Sequence, residues 1–372
     1  MIGVLEEELL PAGMRARFID GINGLRLHYL EAGFETPDRP LLLLLHGFPE
    51  LAYSWRKVMP PLAAAGFHVV APDQRGYGRT TGWDADYDGD LAPYRLQNLV
   101  EDAATLAAAL GHRSAEAVVG HDFGSAVAAW GALLRPAIFR RLVLMSTPFG
   151  GVPRAAGAHA MAELDDALGR LDPPRKHYQR YFSTRAADGD MRHSAQGVHA
   201  FLRAYFHMKS ADWPGNRPVP LKAWDAAELA QMPAYYIMPR DQTMAEAVAP
   251  AMPSPGEIAA CRWLSDADLS VYSEAYARTG FQGGLHWYRC GTDPACIIEL
   301  SHFAGRTIDV PTLFIGGAAD WGVQQAPGAF IRMQKTACTR FAGAHLIDGA
   351  GHWVQQEQPE QVMAALLDFL AR

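Results

Sequence analysis

Gly120-His121-Asp122-Phe123-Gly124 is the stretch on which the reading of this chain turns. It follows a short apolar run, residues 117–120, and precedes a long small-residue segment with no turn signal. That is the G-x-nucleophile-x-G form of a sharp strand-to-helix elbow, with Asp122 at its centre where many hydrolases carry Ser. The two flanking glycines are required physically, because larger residues would clash with neighbouring backbone in so tight a turn. Amides at the start of the following helix favour negative charge and would keep Asp122 ionised.

The same rhythm of apolar run, turn and helix recurs elsewhere in the chain. Residues 41–45 are five consecutive leucines ending at His46-Gly47-Phe48-Pro49, and residues 68–72 end at Asp73-Gln74-Arg75-Gly76-Tyr77-Gly78. Residues 141–145 run into Ser146-Thr147-Pro148. Continuous apolar runs bounded by Gly and Pro read as buried parallel strands. Between them, Leu99, Ala103, Leu106 and Leu110 fall on one face of a helix predicted over residues 96–110. After Gly151 the rhythm stops for about 150 residues. That segment is helical in pattern, broken by Pro, and holds eight of the thirteen Tyr. Strand rhythm returns at residues 310–317 and 344–347, and a closing helix is predicted over residues 359–370. The expectation is an α/β fold with a mostly parallel central sheet. Its core is residues 1–150 and 302–372, interrupted after the fourth recognisable strand by a helical lid, residues 151–301.

Composition narrows the function. The 372 residues carry 33 basic and 40 acidic side chains, a net charge of −7. No Lys/Arg run offsets that balance, so nucleic acid is not an expected partner. Four Cys without C-x-x-C spacing weaken disulfide and zinc readings. No apolar run approaches the ~20 residues of a membrane helix, and no secretory signal is visible. A soluble cytoplasmic enzyme or binding protein is the expectation.

Ligands in open α/β sheets bind outside the carboxyl ends of the strands, and the reactive residues here all sit at such ends. Asp320 follows Gly316-Gly317, and His352 lies in Gly351-His352-Trp353 after the last strand. The chain order nucleophile, acid, His is that of an α/β-hydrolase triad. Asp320 competes for the acid role with Asp309 and Asp348, and its strand-end position favours it. Asp320 would orient one nitrogen of His352, leaving the other to activate water. Backbone amides of Phe48 and Phe123 would form the oxyanion hole. Asp73, with Arg75 and Gly78, reads as the brace of a turn. His193, His199 and His207 share no ligand spacing, and packing or surface roles are their default.

The chemistry of Asp as nucleophile is restrictive. Ser attacking an epoxide or alkyl halide would leave an ether, which the site could not hydrolyse, whereas Asp leaves an ester. These motifs resemble the α/β-hydrolase-fold epoxide hydrolases of the soluble type. The likeness runs from His46-Gly47-Phe48-Pro49-Glu50 to His352-Trp353-Val354-Gln355-Gln356. It implies two lid tyrosines that donate to the epoxide oxygen. Tyr288 lies in Gly280-Phe281-Gln282-Gly283-Gly284-Leu285-His286-Trp287-Tyr288-Arg289, and Tyr178 opens Tyr178-Gln179-Arg180-Tyr181-Phe182. Tyr181, Tyr205, Tyr235 and Tyr236 are alternatives to Tyr178. The resemblance also points to Trp287, Pro49 and His46 at the substrate, a small apolar epoxide, with water as co-substrate and no metal or organic cofactor. Two positions depart from the family: His286 stands in place of Asn, and Phe123 in place of Trp. A dehalogenase on the same fold is the nearest rival, although Phe123 removes the usual Trp halide donor. A non-catalytic ligand receptor that kept the pocket is the rival from another class.

Overall fold

A computed structural model describes residues 3–372, so the first two residues of the N-terminal stretch read for a signal lie outside it. Ten strands are present among the described residues. They are β1 (Met14–Ile22), β2 (Leu25–Ala32), β3 (Leu41–Leu45), β4 (His68–Pro72), β5 (Ala115–His121), β6 (Leu142–Met145), β7 (Arg175–His177), β8 (Ile237–Pro239), β9 (Thr312–Gly317) and β10 (Phe341–Ile347). Eight form one sheet in the order β1-β2-β4-β3-β5-β6-β9-β10. From β4 to β10 every pairing is parallel, and β1 and β2 join as an antiparallel hairpin at one edge.

The five leucines of β3 are all buried, as are β6 and β9, which is what strands covered on both faces require. The helix Phe123–Leu134 packs on β5 and β6 and against the helix Leu96–Ala109. Glycine makes that approach possible. A Cβ on Gly124 would lie 2.1 Å from the Leu45 carbonyl oxygen, and one on Gly120 would lie 2.1 Å from that of Gly124.

Parallel register aligns the strand ends. Leu45 pairs with Gly120, His121 with Met145, Met145 with Ile315, and Gly317 with Ile347. The loops that leave β3, β5, β6, β9 and β10 therefore emerge side by side at one end of the sheet. Between β6 and β9 the chain forms helices, the longest being Gly197–Lys209, Asp266–Thr279 and Gln282–Thr292, together with the two-stranded ribbon β7-β8.

Three features differ from the sequence expectation. The β1-β2 hairpin makes the strand before the helical segment the sixth, not the fourth. The ribbon β7-β8 lies in a stretch read as mostly helical. β5 and β10 also begin earlier than their apolar runs, because strand pairing needs backbone hydrogen bonds and not apolar side chains. Among the described residues, no helix is long and apolar enough to cross a membrane.

Candidate active site

Asp122 ends the turn after β5 with φ 52° and ψ −117°. A non-glycine residue is strained there by about 1–3 kcal/mol, held because Gly120 and Gly124 let helix and strand close around it. Its carboxylate is fixed from two sides. The Phe48 amide donates to Oδ1 at 3.1 Å, and Oδ2 lies 3.3 Å from His352 Nε2. The Phe48 contact comes from the loop after β3, whose Gly47 leaves no room for a side chain: a Cβ there would lie 2.4 Å from the Asp122 Cβ. Phe123 supplies the first residue of the helix, with its amide at the helix N-terminus.

His352 Nδ1 lies 3.0 Å from Asp320 Oδ1, and the Gly322 amide donates to the same oxygen at 2.7 Å. Asp320, Asp122 and His352 are all buried. Asp309 is exposed and accepts only from Thr307 and Thr339, so of the three candidate acids Asp320 is the one brought to His352.

Burial pushes the Asp122 carboxyl pKa up, but the hydrogen bond and charge of His352, then Lys209 and His121, outweigh it and hold the group well below the usual carboxylate range. Burial acts the same way on Asp320, and His352, Ser146 and the Gly322 amide overcome it, so its pKa is lowered too. Both groups are carboxylates at neutral pH.

Tyr288 packs edge-on against the rings of Phe48, at 5.4 Å, and Phe123, at 5.0 Å, the residues whose amides are the expected oxyanion donors. Tyr178 faces Tyr288 with ring centroids 5.9 Å apart, and its hydroxyl donates to Gln325 Oε1 at 3.0 Å. Burial first, and the Asp122 charge second, push the pKa of both phenols far above 10. Each keeps its proton at neutral pH. Of the alternatives, the Tyr181 hydroxyl donates to Asp190 and the Tyr235 hydroxyl to Asn216.

Trp287 lines a cavity of about 420 Å³ together with Phe123, Thr147, Pro148 and Phe149. Its indole N–H donates to the Arg75 carbonyl at 3.0 Å. Pro49 is buried in the loop beside Phe48. His46 is placed differently from its sequence reading. Its ring is fully buried, Nε2 accepts from the Gln74 amide, and Nδ1 lies 2.9 Å from the Gly47 carbonyl. Both ring nitrogens are committed to backbone. Asp73 accepts from the Ala52 and Arg79 amides, and Arg75 forks onto Asp102 at 2.7 and 2.9 Å. Those residues brace the turn as expected. His286, at the position of the usual Asn, packs on Tyr94, and burial pushes its pKa down to about 4.

Sequence reasoning missed four polar residues. Ser146, at φ 70°, donates to Asp320 and lies 2.8 Å from His352 Nδ1. Glu50 pairs with His121 Nδ1 and accepts from Gln355 and Gln356 at 3.0 Å, while His121 Nε2 reaches the His352 carbonyl at 2.7 Å. Lys209 is buried among Tyr205, Tyr235, Tyr236 and Trp353, with its ammonium 5.3–5.7 Å from the ring centroids. The only signal available was a polar residue next to an apolar run, which is too common to select these.

Residues 40–248 match the family described as alpha/beta hydrolase fold. The chain is 36% identical to epoxide hydrolase A of Mycobacterium tuberculosis, over 95% of this chain and 96% of that protein. It is 34% identical to epoxide hydrolase B of the same organism, over 93% and 96%. A solved epoxide hydrolase from an endophytic Streptomyces superimposes with a TM-score of 0.78 at 32% identity, covering 97% of this chain and 96% of that one.

Proposed function

This chain belongs to the epoxide hydrolases of the α/β-hydrolase fold, and from that premise we propose that it converts an epoxide to a vicinal diol through an ester on Asp122. The observation that carries the reading is the bracketing of Asp122: Oδ1 on the Phe48 amide, Oδ2 3.3 Å from His352 Nε2, and His352 in turn on Asp320.

That arrangement assigns the two oxygens different work. Oδ2 attacks a ring carbon and becomes the ester oxygen, while Oδ1, already in contact with the Phe48 amide, becomes the ester carbonyl. As the ring carbon–oxygen bond breaks, negative charge appears on the departing oxygen. Tyr288 and Tyr178 hold that oxygen and deliver a proton to it. Their raised pKa values suit them to donate and not to ionise.

In the second step His352 Nε2 takes a proton from water, whose oxygen attacks the ester carbon. Asp320 stabilises the imidazolium that forms. The charge that develops on Oδ1 falls on the Phe48 amide, with the Phe123 amide as the second donor. Collapse breaks the ester C–O bond, and the His352 imidazolium gives its proton to the departing diol oxygen. The water's second proton, now on the Asp122 carboxyl, passes through His352 to the phenolate, which restores the Asp122 carboxylate and the phenol. Epoxide and water are consumed, one diol is made, and no cofactor enters the cycle.

The segment 151–301 serves as the lid that carries both phenols. The apolar cavity beside Phe123 and Trp287 takes an uncharged arm of the substrate. His46 braces the oxyanion loop through the Gln74 and Gly47 backbone. The test is diol formation from a styrene oxide-type epoxide, run beside halide release from haloalkanes. Diol without halide, lost in a folded Asp122→Ala variant, is the expected result. Retained turnover in that variant, or halide release as the main activity, overturns the assignment.

A further inference from the structure

The loop that carries His352 is held at each backbone group around the imidazole. The His352 amide donates to the Lys209 carbonyl at 2.9 Å, and the His352 carbonyl accepts from His121 at 2.7 Å. The amides on either side go to one carboxylate, Glu357. Gly351 N donates to Oε2 at 2.9 Å, and Trp353 N donates to Oε1 at 2.9 Å. Oε2 accepts a third amide, that of Ala211, at 2.8 Å. Ala211 follows the helix Gly197–Lys209 in the segment between β6 and β9. A side chain on Gly351 would break this seam, since a Cβ there would fall 2.5 Å from the Ser210 carbonyl carbon and 2.6 Å from Ala211 N.

Hydrogen bonds from amides to an ionised carboxylate are about twice as strong as neutral ones. Burial pushes the Glu357 pKa up to about 8, and the three amides pull against it, so the charged form is complete only in mild alkali. Two of the three amides flank the residue read as the water-activating base, and the third reaches across to the lid. We propose that Glu357 is a positioning residue for ester hydrolysis, fixing the His352 loop against the lid turn at Ala211 and so aiming His352 Nε2 at the ester. The proposal rests on the role given to His352 above. Glu357 touches no reacting atom, and its influence passes through the backbone of residues 351–353.

This role is specific to one step. Ring opening draws on Asp122 and the phenols and moves no proton through His352. Ester hydrolysis needs His352 Nε2, water and the ester carbon in line, and a displacement of about 1 Å can cost roughly 100-fold. A carboxylate that served only to hold the protein together would slow both steps alike when lost.

Glu357→Gln keeps one carbonyl oxygen but turns an NH2 group towards amide donors. The comparison is made at about pH 9, where the unaltered side chain is ionised. In stopped flow with excess enzyme and a styrene oxide-type epoxide, tryptophan fluorescence follows ester formation and decay, and quenched samples are weighed intact. Ester formation should stay within about 2-fold of the unaltered protein, and decay should slow about 10- to 100-fold, so that the ester accumulates. Glu357→Asp keeps the charge on a shorter side chain and should recover only part of the decay rate, leaving it several-fold slow. Where the Gln variant does not fold, the Asp variant decides by the same pair of rates, with decay slowed several-fold and formation intact. Unchanged decay, or formation and decay falling together in whichever variant folds, overturns the proposal while leaving the Asp122 reading standing. Unaltered protein that makes neither ester nor diol overturns both.

Discussion

Replacing Asp320 by Asn isolates the charge behind His352. The two side chains are nearly isosteric, so the contact at 3.0 Å between Oδ1 and His352 Nδ1 and the Gly322 amide contact at 2.7 Å can both persist. What disappears is the negative charge facing an imidazolium in the hydrolytic transition state. Two unit charges 3.0 Å apart attract by about 5.5 kcal/mol at an effective dielectric near 20. That figure is an upper bound, because the Asn carbonyl still accepts from Nδ1 and Ser146 can rotate to accept from the new NH2. Taking about half as the lower bound gives about 3–5.5 kcal/mol, or roughly 10²- to 10⁴-fold at about 1.4 kcal/mol per tenfold. The loss belongs to ester hydrolysis, the step in which His352 becomes charged. Single-turnover fluorescence of Asp320→Asn separates that step from alkylation. Hydrolysis within about 3-fold of the unaltered protein would refute the assignment of Asp320 as the triad acid.

Tyr288→Phe removes one of two proton donors while keeping the ring against Phe48 and Phe123, so ring opening should slow by about 10- to 100-fold with ester decay little changed, as a positioned acid is worth about 10²–10⁴; an unchanged alkylation rate in stopped flow contradicts the donor role. His177 gives a pH prediction. Burial pushes its pKa down to about 3, and Nδ1 accepts from the Gln179 amide, which requires the neutral ring. Below about pH 6.5 the unfolded chain takes up a proton that the folded chain refuses, so stability falls as pH drops from there towards 3. Between pH 7 and pH 5 the cost is about 2 kcal/mol, at roughly 1.4 kcal/mol for each pH step below about 6.5. His177→Asn keeps an acceptor for Gln179 without the titration. Its urea midpoint should change less between those pH values than that of the unaltered protein, and an equal change contradicts the account.

Legibility followed the physics of burial. The leucines of β3 and the elbow were readable because covered strands are continuous in sequence and because Gly120 and Gly124 have no substitute at that spacing. The β1-β2 hairpin was not seen, since β1 is half-exposed and has no continuous apolar run. The available signal was Asn23-Gly24 between two strands, both residues at positive φ, a two-residue hairpin turn. In the site, strand-end order singled out Asp122, Asp320 and His352 without any contact information, and the structure places Asp122 at 3.3 Å and Asp320 at 3.0 Å from the His352 ring. Lys209 and Glu357 escaped because their roles are long-range: one is enclosed by aromatic rings from distant segments, the other collects backbone amides, and neither leaves a pattern among its sequence neighbours. His46 shows the converse, a motif residue whose ring turns inward to the backbone of its own loop and of Gln74.

The central claim is a covalent ester on Asp122 that only His352 clears. His352→Gln, mixed with a styrene oxide-type epoxide and weighed intact, should gain the mass of one epoxide, and peptide mapping should place it on the segment containing Asp122. Full turnover with no adduct, or an adduct on any other residue, would contradict the account.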